Sequence, residues 1–240
     1  MAPFQTFNAR LLRAVSLSDL TKHLEFEMEG VARFGFVPGQ WLSFKTNKSD
    51  GEEITRAYSI ASVPDESNRF GLCLNRVQDG FMSNYLCDMK EGETIACQGP
   101  YGDFILRPPM RDTIFIATGT GVAPFRAMLQ WVLADPIRHQ QKQLWLLFGS
   151  RYEVDIYYHN EFLKLASQHQ NFAYLPTLSR GSEDWKGLRG YVQEHVPGIV
   201  AGRNNMHAYI CGLDKMIKAN RELLKGMGWD RKSILYEKYD

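Results

Sequence analysis

Two short stretches concentrate side chains able to handle a charged, planar ligand. Arg56-Ala57-Tyr58-Ser59-Ile60-Ala61-Ser62 sets a cation, an aromatic ring and hydroxyls among small residues, inside a region of ordinary strand-like sequence. An arginine neutralises a phosphate or diphosphate, a tyrosine lies flat on a planar heterocycle, and a serine hydroxyl donates to a ring nitrogen. Thr118-Gly119-Thr120-Gly121-Val122-Ala123-Pro124 follows the β-branched run TIFIAT and opens a helical pattern. Its glycines permit a tight turn and the close approach of a pyrophosphate, and the helix N-terminus adds unpaired N–H groups and a positive dipole end. Pro124 suits the first helical turn, where its missing N–H costs nothing. Cys211-Gly212 also follows a strand and precedes a helix, the place where parallel strands line a ligand crevice. Taken singly, each has a plainer reading: a strand with one exposed arginine and a core tyrosine, a glycine turn, a buried thiol.

The elements that position these residues change character along the chain. HLEFEME, WLSFKT, AYSIAS, FGLCLNRV and TIACQG are short strand patterns broken by Gly, Pro and Asp, with a short helical turn around Ser83 to Met89. Such spacing predicts an antiparallel barrel or sandwich. After Arg107-Pro108-Pro109-Met110 the pattern alternates: TIFIAT, QLWLLFGS, NFAYLPTLS, HAYICG and SILYEKYD are strands separated by helical stretches. That alternation predicts a parallel sheet with helices on its faces. The expected fold is therefore an antiparallel β-barrel domain at 1–108 followed by a parallel-sheet, Rossmann-like α/β domain at 109–240.

Composition narrows the function classes. Among 240 residues, 28 Lys and Arg stand against 27 Asp and Glu, a formal net charge of +1. A nucleic-acid binder usually carries a basic excess, so none is expected as partner. No apolar run reaches the length of a membrane span and the N-terminal residues lack a signal-peptide core, so a cytoplasmic location is expected. Cys73, Cys87, Cys97 and Cys211 form no cluster, which argues against a zinc site, an iron–sulfur centre or a disulfide scaffold, and no metal is expected.

The motifs together resemble those of the ferredoxin–NADP reductase family. Arg56 to Ser62 is similar to its R-x-Y-S-x-x-S flavin motif, and Gly80-Phe81-Met82-Ser83-Asn84-Tyr85-Leu86 to its G-x-x-S-N-x-L pyrophosphate segment. Gly99 to Phe104 resembles G-P-x-G-x-F, Thr118 to Arg126 the G-T-G-x-A-P-F-R nucleotide loop, Cys211-Gly212 the C-G dipeptide, and Glu237-Lys238-Tyr239 the terminal E-x-Y. These run in the family's order over almost the whole chain. The resemblance implies FAD in the barrel and a nicotinamide dinucleotide in the second domain. It implies that Arg56 contacts the flavin phosphate, that Ala57 is among the flavin-binding residues, that Tyr58 stacks on one face of the ring, and that Ser59 sits near its reactive nitrogen. Gly80, Met82 and Ser83 would hold the pyrophosphate. Thr118, Gly119, Thr120, Gly121, Pro124 and Gly212 would hold the nicotinamide dinucleotide. Tyr239 would cover the other ring face and move aside for nicotinamide, and Ser59, Cys211 and Glu237 form the implied catalytic group.

Ser179-Arg180 and Arg189-Gly190-Tyr191-Val192-Gln193 resemble the family's NADP pattern S-R … K-x-Y-x-Q, with arginine in the lysine position. Ser179, Arg180, Arg189, Tyr191 and Gln193 therefore favour NADPH, while Glu183 and Asp184 between them keep NADH open. The implied activity passes electrons between NAD(P)H and a separate one-electron carrier, ferredoxin or flavodoxin, because the chain has no cysteine cluster for its own iron–sulfur centre. An acidic carrier would dock on cations such as Arg10, Arg13, Lys22, Arg33, Lys45, Lys48 and Arg76. Alternatives are a reductase of free flavin or another small acceptor, and a non-catalytic electron-transfer or interaction subunit on the same fold. The chain lacks the adenine-stacking insertion of some relatives, so the resemblance assigns no residue to the FAD adenine.

Overall fold

The computed structural model describes residues 6–239. The first strands form because apolar and polar residues alternate with a period of two, leaving each strand one buried face. β1 (Thr6–Ser16) buries Ala9 and Leu11 between exposed Asn8, Arg10 and Arg13. β2 (Thr21–Met28) buries Leu24, Phe26 and Met28. β3 (Trp41–Asn47), β4 (Glu53–Ser59) and β5 (Arg69–Asn75) follow, then helix α1 (Phe81–Asp88) and β6 (Thr94–Tyr101). They pair antiparallel in the order β4-β3-β6-β1-β2-β5. A bridge between Ile60 and Leu72 joins the residue after β4 to β5 and brings the two ends of the sheet together as a barrel. Phe26, Phe44 and Phe70 meet in its core, with Phe26 and Phe70 stacked at 5.5 Å. α1 adds Met82, Leu86 and Cys87 to that core.

The second half builds β7 (Thr113–Thr118), a 3₁₀ turn (Gly119–Val122), α2 (Ala123–Leu133), α3 (Pro136–His139), β8 (Leu144–Ser150), α4 (His159–Gln168), β9 (Phe172–Leu178), β10 (Leu188–Arg189), α5 (Val192–Val200), β11 (His207–Gly212), α6 (Asp214–Gly226) and β12 (Ile234–Lys238). All six strands run parallel, in the order β10-β9-β8-β7-β11-β12. Every residue of β11 and the first five of β7 are buried, as expected for strands covered on both faces. Ile114, Ile116, Ala208 and Ile210 face α5 and α6 through Val192, Val196, Ile217 and Leu224. Phe115 faces the other way and meets Phe125 of α2 and Tyr209. From β7 the chain crosses to β8 on one side, while β11 flanks β7 on the other. The carboxyl ends of β7 and β11 are therefore the topological switch point of the sheet, where such folds bind ligands.

The barrel and the parallel sheet are the fold expected from the strand patterns. Contacts divide the chain into one unit of residues up to Ile105 with Arg126–Trp131, and a second of Leu106–Phe125 with Val132 onward. The middle of α2 thus belongs to the first unit, and within it Arg126 Nη1 donates to the Ala61 carbonyl at 2.7 Å. The sequence patterns had not identified β1, α3 or the two-residue β10. The turn expected around Ser83 to Met89 is the eight-residue α1, starting two residues earlier. Among the described residues no helix is long and apolar enough to cross a membrane.

Candidate functional site

The switch point gathers the glycine loop and the Cys-Gly dipeptide. Thr118 ends β7, and Gly119 turns the chain with φ +55°, its open side free of other atoms within 4 Å. That unobstructed backbone can admit a phosphate. Gly121 does a different job. A Cβ there would come within 2.7 Å of the Gly212 Cα, so its glycine character lets two backbones pack. The side of Gly121 on which a Cβ would stand is thus filled by Cys211 and Gly212, whereas that of Gly119 is open. Gly212 has φ +138°, and a Cβ there would stand 2.8 Å from the Thr118 carbonyl oxygen. The Leu213 N–H donates to Thr118 Oγ1 at 3.4 Å. Thr120 is half-exposed in the turn, and Pro124 is the buried second residue of α2.

β12 lies beside β11 with Cys211 opposite Glu237 and Gly212 opposite Lys238. The Tyr239 N–H donates to the Gly212 carbonyl at 3.1 Å and carries the chain past the strand ends. Cys211 has no exposed surface. Burial holds its thiol protonated, its pKa well above the ordinary value, and the neighbouring Glu237 carboxylate adds to this; the Tyr239 side chain, hydrogen-bonded to the thiol, opposes it more weakly. Cys211 is therefore a neutral S–H under Tyr239, not a thiolate nucleophile. Lys238 and Lys218 both pair with Asp214, at 2.7 and 2.6 Å.

In the barrel unit, β4 displays the other motif. Arg56 and Ala57 are exposed, Tyr58 is half-buried and Ser59 is buried. Arg56 donates to the Thr55 carbonyl and has no ion pair among the described residues, so its charge is available to an anion. Tyr58 packs edge-on against Phe44 at 6.0 Å, and burial pushes its hydroxyl up to about 12. α1 begins at Gly80, where a Cβ would meet Ser83 Oγ at 2.6 Å. Ser83 Oγ donates to the Gly80 carbonyl and accepts from the Val77 N–H, while Asn84 Nδ2 donates to the Val77 and Gly80 carbonyls. These bonds shape the loop before the helix and commit the Ser83 hydroxyl to it. The Met82 side chain is in the core. What Met82 and Ser83 present to a ligand is thus their backbone N–H, in the helical turn where no intrahelical acceptor exists.

The two arginines of the third segment behave differently. Arg189 donates to the carbonyls of Gly181, Ser182, Glu183 and Trp185, at 3.1, 2.6, 3.3 and 2.9 Å. Through these bonds from both terminal nitrogens its guanidinium organises that loop. Arg180 is exposed, and among the described residues only the Tyr152 hydroxyl, at 3.4 Å, meets its guanidinium. Tyr191 is 62% exposed, Gln193 is half-buried, and the Ser179 N–H donates to the Ser150 carbonyl. Sequence reasoning missed Thr118 Oγ1 as the tie to Leu213 and Asn84 as the loop clamp, although both lie in the quoted motifs. It also missed Tyr152, for which no local pattern gave a signal.

The seven cations considered for carrier docking are mostly engaged. Arg10 pairs with Glu27 and Glu29, Arg33 with Glu66, Lys45 with Glu53, Lys48 with Glu52 and Arg76 with Asp88. Lys22 donates to the Cys87 carbonyl at 2.7 Å.

Known proteins share this organisation. Residues 8–105 match the family model described as oxidoreductase FAD-binding domain, and residues 115–222 that described as oxidoreductase NAD-binding domain. Ferredoxin–NADP reductase B of Sorangium cellulosum is 42% identical, with 100% of both chains covered. The electron transfer component of anthranilate 1,2-dioxygenase from Acinetobacter baylyi is 32% identical over 85% of this chain, which spans 58% of that protein. In fold, a ferredoxin NADP+ reductase from Neisseria gonorrhoeae matches 98% of this chain and 99% of its own, with TM-score 0.84 at 20% identity. A relative matched end to end, and flavin- and nicotinamide-binding domains in the same order as the motifs, establish that this chain belongs to the ferredoxin–NADP reductase family and is an FAD-dependent NAD(P)H oxidoreductase.

Proposed function

We propose that the chain oxidises NADPH and delivers electrons singly to a small acidic carrier, ferredoxin or flavodoxin, with residues 1–108 serving the flavin and 109–240 the nicotinamide dinucleotide. The observation that carries this reading is the switch point, where an unobstructed Gly119 backbone stands beside a neutral Cys211 thiol under Tyr239. The barrel residues also fit a flavin: Arg56 is a cation with no ion pair among the described residues, Tyr58 a half-buried ring, and the first turn of α1 offers the N–H groups of Met82 and Ser83. FAD, when bound, supplies the chemistry that accepts a hydride from reduced nicotinamide and releases electrons one at a time. This chain's residues supply binding and orientation. Arg56 neutralises phosphate, Tyr58 offers a ring face, and the Ser59 hydroxyl donates to a ring nitrogen. Thr118, Gly119 and Thr120 receive the dinucleotide phosphates.

Tyr239 must leave before any ligand reaches Cys211. Its displacement costs binding energy, and the exposed thiol and Glu237 then position the nicotinamide. Arg180, backed by Ser179, Tyr191 and Gln193, reads the 2′-phosphate. The name of the Sorangium relative supports both NADPH and ferredoxin. Anaerobic addition of NADPH, and separately NADH, to the purified yellow protein tests the reading, followed by ferredoxin, flavodoxin or free FMN. Fast bleaching by NADPH and reoxidation by a protein carrier are expected. Preferential reoxidation by free FMN would replace the carrier with a small acceptor, and a protein that bleaches with neither nucleotide would remove the catalytic reading.

A further inference from the structure

β12 stands last in the order of the parallel sheet and pairs there with β11 alone. Its side chains alternate, so Tyr236 and Lys238 share one face and Glu237 takes the other. α6 packs on both strands and reaches the face of Tyr236 and Lys238. Asp214, Lys218 and Arg221, at i, i+4 and i+7, form one stripe of that helix. The Arg221 guanidinium lies 3.8 Å over the Tyr236 ring, and Asp214 pairs with Lys238 at 2.7 Å. The start of α6 thus holds the end of β12, one residue before Tyr239. Tyr239 is itself tied through its N–H to the Gly212 carbonyl and through its side chain to the Cys211 thiol.

We propose that Asp214 is a positioning residue for hydride transfer: through Lys238 it clasps the end of β12 and sets how readily Tyr239 yields its place to nicotinamide. The inference rests on the reading that Tyr239 stands where the nicotinamide enters.

The two ends of the clasp differ in the way such a device needs. Asp214 is the first residue of α6, where the helix N-terminus favours an anion, and the helix is fixed below it by buried Met216, Ile217, Asn220 and Leu224. The carboxylate therefore belongs to a rigid element. Lys238 belongs to an edge strand whose next residue has to move. Hydrogen bonds from Lys218 and Lys238 hold the Asp214 carboxyl below the usual carboxylate range, so the pair is charged at neutral pH. Its side chains are 33% and 46% exposed, and an ion pair in such a setting opens at little cost. Lys218, at 2.6 Å, leaves Asp214 a counter-ion while Lys238 is away, so the clasp closes again on the same carboxylate.

The test titrates oxidised holoenzyme calorimetrically with NADP+ and with adenosine 2′,5′-bisphosphate, which shares the adenosine phosphates but has no nicotinamide. Asp214→Asn removes a negative charge and Lys238→Met a positive one. A plain field effect on an anionic ligand would move these two variants in opposite senses and would move both ligands. Release of Tyr239 moves both variants in one sense and NADP+ alone. Each is expected to bind NADP+ about two- to fivefold more tightly, the range for one exposed ion pair, with the bisphosphate unchanged. The double variant should match either single one, because both break the same contact. Lys238→Arg, and Lys218→Met, which keeps the Lys238 pair, should bind like wild type. Opposite shifts in the two single variants, or wild-type NADP+ affinity in both with only a lowered melting temperature, would overturn the clasp. Tyr239→Ser, titrated alongside, separates the two readings: if it tightens NADP+ while the clasp variants do not, the gate stands without the clasp. If Tyr239→Ser itself leaves NADP+ unchanged, the gate falls and the clasp with it.

Discussion

At the scale of single residues, the third segment separates an exposed, nearly bare guanidinium from one that organises backbone. Arg180 and Arg189 are equivalent by charge and both match the NADP pattern. Only their surroundings distinguish them, because four carbonyls occupy the Arg189 guanidinium and one tyrosine hydroxyl touches that of Arg180. Arg180→Ala should weaken NADPH by roughly ten- to a hundredfold and leave NADH almost unchanged, since only NADPH carries the extra phosphate. Arg189→Ala should weaken both nucleotides together and lower the melting temperature, because it frees the loop from Gly181 to Trp185. Isothermal titration of both variants with both nucleotides decides this, and a NADPH-selective loss in Arg189→Ala would return that residue to the phosphate. Tyr239 gives a second residue-scale outcome. Its side chain is hydrogen-bonded to the Cys211 thiol, so on the proposed reading Tyr239→Ser removes a group that nicotinamide displaces. Tighter binding of both nucleotides, a smaller preference for NADPH and slower turnover through retained product are expected in stopped-flow experiments. Unchanged binding would mean that Tyr239 does not gate the thiol.

At the scale of elements, β2 shows what a strand pattern conveys and what it omits. HLEFEME alternates clearly enough to be read as a strand, and the structure places Leu24, Phe26 and Met28 inward. The same alternation does not say that His23 is buried beside Leu24, because that depends on β5: Gly71 passes so close that a Cβ there would meet the His23 ring at 2.7 Å. Motifs were legible for a related reason. Gly119 and Arg56 present local backbone and charge, which sequence displays, whereas Gly121 and Gly212 pack across two strand ends distant in sequence and Arg189 braces a loop, which it does not. β1 escaped notice because its alternation is interrupted at Leu11-Leu12, where the pairing with β2 also shifts. Burial lowers the His23 pKa to about 4, with Arg126 and Arg13 adding to the effect, and the half-buried Glu25, 4.0 Å away, fails to offset it. The folded state therefore prefers the neutral ring. Between pH 6.5 and 4 the unfolded chain binds the proton first, so this contribution is intact above pH 6.5 and is lost as pH falls towards 4. The loss amounts to about 3 kcal/mol at most. Denaturant unfolding across that range should show His23→Gln losing correspondingly less stability than wild type; parallel curves would mean that His23 does not titrate with folding.

At the scale of the whole molecule, charge decides how an electron carrier arrives. With 28 basic and 27 acidic residues the formal net charge is +1, so there is almost no monopole to draw an acidic partner. Local patches could still do so, yet five of the seven barrel cations considered for docking are already ion-paired, and Lys22 is bonded to backbone. Exposed pairs of this kind are worth about 0–1 kcal/mol, so a carrier's carboxylates can replace Glu52 or Glu66 on contact at little cost. What the pairs remove is the long-range field, because each cation is cancelled by an anion well inside the Debye length of about 8 Å. Association should then be governed by short-range fit. The bimolecular rate of reoxidation by an acidic ferredoxin or flavodoxin is expected to fall less than about tenfold between low ionic strength and about 0.5 M salt, whereas strong steering gives effects of up to about a thousandfold. Stopped-flow reoxidation of the reduced enzyme across a salt series measures this directly. A hundredfold fall would locate docking on cations other than these pairs, and Arg13, the one member of the seven with neither an ion pair nor a side-chain hydrogen bond among the described residues, would be the first to replace.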